Sequence, residues 1–131
     1  MKKKKMITLL VPIFTEEYSI RVCLGTRSQI LCFASDYLNQ SLKAVENDYG
    51  NCRGRAWNAL DDVYGRKNPI IVIDSTLPAH VALATVAHEA SHAMDFIEEY
   101  VGVRDRNGEF HAHGISAVMR AVGNKLLSKF K

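Results

Sequence analysis

Residues 87–95 read AHEASHAMD, and the five residues from His88 to His92 spell HExxH. Residues i and i+4 of a helix lie one turn apart on one face, so the two imidazoles can grip one metal ion. Glu89 is offset by about a hundred degrees around the helix. It stands beside that ion rather than on it, where a carboxylate can take a proton from water and pass it to a leaving amine. The surroundings agree with a helix. Asp74-Ser75-Thr76-Leu77-Pro78 sets a capping residue shortly before a proline, and Gly102 marks a stop, so the helix is expected to run to about Tyr100. Along it Leu83, Val86, Ala90, Ala93 and Ile97 form an apolar stripe, while Thr85, His88, His92, Asp95 and Glu99 line a polar one. The plainer reading of the motif is a pair of exposed histidines with Glu89 in a surface ion pair. Against it stand the small residues Ala84, Ala87, Ala90 and Ala93, which let other elements approach closely. Zn2+ is the expected cofactor.

Catalytic zinc takes three protein ligands and keeps a fourth position for water, so a third donor must come from elsewhere in the chain. Glu98 and Glu99 follow His92 closely but sit too far around or along the same helix to turn back onto the ion. Asn107-Gly108 can reverse the chain into a last helix, expected from about Glu109 to Phe130, with Ile115, Met119, Val122 and Leu126 inward. Glu109 and His113 share a face at its start. Glu109 is favoured as the third ligand, since a carboxylate in a first turn also suits the helix dipole. His113 is the alternative third ligand, and otherwise a supporting partner of the site. His111 is expected to point elsewhere. Asp95 either orients the His92 ring or sits at the polar rim. His80, two turns before His88 and about 12 Å away along the axis, is too far to share the ion. Tyr100, Arg104 and Arg106 border the expected cleft, and any of them could polarise a peptide carbonyl.

Upstream of the motif, residues 6–14 and 18–24 are two β-rich runs separated by Thr15, Glu16 and Glu17, a pattern for an antiparallel pair. From Ser28 to Val45, apolar residues recur at three and four, which predicts one helix. A short run at 55–60 and a strong strand at 70–73 could pair across the loop between them. Trp57 reads as a core residue, with the floor of a substrate pocket as its other possible place. The fold class is therefore α+β, with a hairpin, a helix, a small mixed or antiparallel sheet, and two closing helices bridged by zinc.

At 131 residues the chain has the size of one domain, expected over 6–131 behind a disordered basic tail at 1–5. Its net charge of +3 rests on Lys2, Lys3, Lys4 and Lys5, without which it would be slightly acidic. A short lysine run with no second basic patch reads as a solvated tail, so a nucleic-acid partner is not expected. The apolar stretch after it holds Pro12 and runs into Glu16 and Glu17 with no small-residue cleavage site, so it reads as a strand rather than a signal peptide or membrane segment. Cys23, Cys32 and Cys52 are odd in number and match no CxxC pattern, which suits a reducing cytoplasm.

AHEASHAMD at 87–95 and EFHAHGISAVM at 109–119 resemble the active-site helix and the following Glu-bearing helix of the minimal zincins: ImmA-type and SprT-like proteases and small HExxH proteins of bacteriophages. The resemblance covers roughly residues 52–120 and is specific at HExxH. It implies a zincin-like fold, zinc held by His88, His92 and a Glu, and peptide substrates aligned along a sheet edge formed by the strands at 52–60 and 69–74. The chain departs from the metzincin pattern, with Asp95 and Glu98 where that pattern needs Gly and His. The implied activity is cytoplasmic zinc metallopeptidase, in a host cytoplasm if phage-encoded, acting on a protein or peptide with no membrane partner. The alternative is a zincin-fold binding module without catalysis, such as a phage-encoded inhibitor of a host protein.

Overall fold

The computed structural model describes residues 5–13, 18–60, 68–102 and 108–127, and within them the chain is α+β: one four-stranded mixed sheet and four helices. Strands β1 (Ile7–Ile13) and β2 (Tyr18–Gly25) pair antiparallel, with Ile7 opposite Leu24 and Ile13 opposite Tyr18. The residues 15–17 expected to turn between them lie outside the described set. β4 (Ile70–Asp74) runs parallel to β2, and β3 (Gly54–Trp57) pairs antiparallel along the other side of β4. The order is β1-β2-β4-β3, so the expected hairpin and the expected later sheet are one sheet.

Helices cover both faces, which is why β4 reads as an unbroken apolar run. Ile70, Ile71, Val72 and Ile73 are all fully buried, as a strand covered on both sides must be. Alternation divides the sheet residues. Ile20, Val22, Leu24, Ile71 and Ile73 face the C-terminal helices α3 (Ala79–Val101) and α4 (Glu109–Leu127). Cys23, Ile70, Val72 and Trp57 face α1 (Arg27–Leu38) and α2 (Leu42–Tyr49). Trp57 is a core residue, as expected, and its Nε1 donates to Asp48 Oδ2 at 2.6 Å.

The single helix expected over 28–45 is instead two. Asn39 takes a left-handed conformation (φ 54°) and closes α1, and the Ser41 side chain accepts from Ala44 N to open α2. The apolar spacing continues through the break, which hides it. Leu42, counted into that spacing, is exposed.

α3 begins where expected but not as expected. Pro78 occupies the cap position with no side-chain hydrogen bond, while Asp74 Oδ1 accepts from the Thr76 N–H and hydroxyl, forming a turn before the helix rather than a cap on it. The far end stops at Gly102, whose N–H donates to Glu98 O. Two glycines set how closely α3 is approached. A Cβ on Gly54 of β3 would stand 2.5 Å from Thr85 Cγ2, and one on Gly114 of α4 would stand 2.1 Å from Met94 Sδ. Only a residue without a side chain lets either element come so near. Among the described residues no helix is long and apolar enough to cross a membrane.

Candidate metal centre

The packing of α3 decides what its motif can do. Ala82, Val86, Ala90, Ala93, Met94 and Ile97 are buried toward the sheet and α4, leaving His88 and His92 exposed one turn apart. Their Nε2 atoms converge to 3.2 Å, with the rings nearly perpendicular at 83°. Two ligands about 2.0–2.1 Å from a tetrahedral zinc ion stand about 3.3–3.4 Å apart. The 3.2 Å separation of the two nitrogens is thus close to that of two ligands on one zinc ion.

Glu89 is placed differently. Its residue is 8% exposed, on the buried side of the helix, although it neighbours a histidine whose side chain is 70% exposed. Its Oε1 lies 4.0 Å from His88 Nε2. Burying a carboxylate is costly unless something compensates it. A cation held by the adjacent histidines would do so, and the carboxylate would then sit beside the ion and not among its nitrogen ligands.

The donor atoms of His88, Glu89 and His92 all lie within 4.8 Å of one another. Glu109 and His113 are not part of that group: both are exposed in the first turns of α4. The structure thus assembles three of the expected residues and leaves the favoured and the alternative third ligand outside them. Tyr100 is exposed near the end of α3, His80 is exposed in its first turn, and Arg104 and Arg106 lie outside the described residues.

A second cluster was missed by sequence reasoning. His111, expected to point elsewhere, is half-buried against α3, with its Nε2 2.8 Å from Ser91 Oγ and its Nδ1 3.2 Å from Glu98 Oε1. Asp95 Oδ1 lies 3.5 Å from the same Nδ1, with its side chain 60% exposed at the polar rim of the helix. Glu98, set aside because it cannot reach back to the motif, meets instead a residue that α4 brings to it. The spacing of Ser91, Asp95 and Glu98 at helical intervals was a usable signal. What it lacked was the register of α4.

β3 packs over α3 at Thr85, one turn before the motif, and among the described residues it is an edge strand of the sheet, paired only with β4. No protein-family model, curated protein or solved structure matches this chain.

Proposed function

We propose that the chain is a zinc-dependent peptidase of zincin-like fold, with His88 and His92 as metal ligands, Glu109 as the third, and Glu89 as general base. The observation that carries this reading is the 3.2 Å convergence of the two Nε2 atoms beside a buried carboxylate. Zinc bound there would supply Lewis acidity, polarising a carbonyl and lowering the pKa of a water toward neutrality. Glu89, beside the two histidines, would hold a proton taken from water on its carboxylate and deliver it to the departing amine. Glu109 would be supplied from the first turn of α4, where its side chain is exposed. β3, an edge strand among the described residues, offers backbone groups to an extended peptide, which suits a peptide substrate better than a compact one.

The experiment is hydrolysis of an unfolded protein or a peptide mixture by the zinc-loaded chain and by Glu89→Gln. Wild type should cleave and be stopped by a chelator. Glu89→Gln should keep its zinc and lose hydrolysis by about 10²–10⁴-fold, the usual contribution of a positioned base. A chain whose biological effect survived Glu89→Gln would be a binding module, and the catalytic reading would fall.

A further inference from the structure

We propose that Asp95, Glu98 and His111 form a second site, for a divalent transition-metal ion, on the seam between α3 and α4. It lies beyond the peptidase reading and does not depend on it. The three donor atoms lie within 4.8 Å of one another. His111 is the hub, because its Nδ1 faces Glu98 Oε1 at 3.2 Å and Asp95 Oδ1 at 3.5 Å together.

The His111 ring turns Nε2 to the Ser91 hydroxyl and Nδ1 to the two carboxylates. One ring nitrogen serves two carboxylates badly: Glu98 stands at 3.2 Å, and Asp95 at 3.5 Å is beyond a good hydrogen bond. A divalent ion among the three donor atoms balances both negative charges at once. Ser91 completes the pattern, for a metal-bound histidine characteristically has its other ring nitrogen held by a hydrogen-bonding partner. With Nδ1 ligating the ion, Nε2 becomes the N–H and donates to Ser91 Oγ.

Asp95 has a side chain 60% exposed and can rotate onto the ion, while Glu98 and His111, 20% and 24% exposed, form the fixed part of the site. The imidazole nitrogen selects a transition ion over calcium or magnesium, and two carboxylates suit zinc or manganese. Because the ligands come from two helices, the bound ion ties α4 to α3.

The test is calorimetric titration of the metal-free full chain with Zn2+, in a Cys32→Ser, Cys52→Ser background so that exposed thiols do not contribute. Wild type should take up two equivalents. His111→Gln and Glu98→Gln should each take up one, as should Asp95→Asn, whose exposed position guards against a folding artefact. Uptake of a single equivalent by wild type, unchanged in these three variants, would overturn the proposal. Failure of the HExxH reading has a different signature: His88→Ala combined with His92→Ala would keep the wild-type stoichiometry. Loss of one equivalent on His111→Gln would support the second site even then.

Discussion

The two donor sets along α3 are built in different ways. His88, Glu89 and His92 come from one helix, so their spacing is a property of helix geometry and survives whatever α4 does. Asp95 and Glu98 need His111 from α4, so their set exists only while the two helices keep their register. That register is held by a tight seam, with Gly114 against the buried Met94. A motif carried by one helix and a cluster assembled between two should therefore be separable by mutation, and each of the following measurements presses on that separation.

The largest effect should come from the motif itself. Zinc at about a hundred times its dissociation constant stabilises a protein by about 2.7 kcal/mol. His88→Ala with His92→Ala should abolish the share of the zinc-induced rise in melting temperature that belongs to the motif. The His111 contacts should persist, visible as unchanged ring chemical shifts for that residue. If the His111 shifts collapse as well, the two sets are one unit.

Next comes the third ligand, the point at which the motif must borrow from α4. Glu109→Ala should weaken zinc binding by more than about 100-fold, and His113→Ala by about 10–100-fold, the range for groups that only support a ligand. Competition with a chelator measures both. The reverse order would make His113 the ligand and leave Glu109 in the solvent.

The reach of sequence reasoning follows the same division. HExxH, the apolar stripe from Val86 to Ile97, the stop at Gly102 and the buried run at 70–73 are local patterns, and each has its counterpart in the fold. The break at Asn39 was harder to read because the apolar spacing runs through it, although Asn39 and Ser41 supply the cap residues that mark it. The parallel pairing of β2 with β4 is a tertiary fact that hydrophobic alternation does not encode. His111 belongs to the same class. Its partners lie 13 to 20 residues away in sequence and meet it only through helix packing.

A smaller effect should follow from crowding the seam. Gly114→Ala places a Cβ against Met94 and should cost about 1–3 kcal/mol by urea unfolding, the usual range for overpacking. Its zinc affinity at His88 and His92 should fall less than its uptake at Asp95, Glu98 and His111. Equal losses would show that the motif also depends on the α4 register.

The smallest effect belongs to the far face of the sheet. Burial pushes the Cys23 thiol up from 9.0 to about 12. Burial, with Asp74 adding to it, pushes the Tyr49 hydroxyl up from 10.0 to about 12, while Arg27 opposes the shift. Both groups stay protonated in the folded chain at pH values where the unfolded chain ionises. Their contribution to stability is whole below pH 9 and is lost progressively as the pH rises toward 12. Removing zinc with a chelator should leave that decline, and the protection of Cys23 from thiol reagents at neutral pH, unchanged. Exposure of Cys23 on chelation would mean that the metal organises both faces of the sheet.

The most direct test of the central claim is a crystal of the zinc-loaded protein, with an anomalous difference map collected at the zinc edge. The account predicts a peak between the Nε2 atoms of His88 and His92, about 2.0–2.1 Å from each, with the Glu89 carboxylate beside it but not bonded to it. Zinc found only on Cys32, Cys52 or His80, with His88 and His92 free of metal, would contradict it.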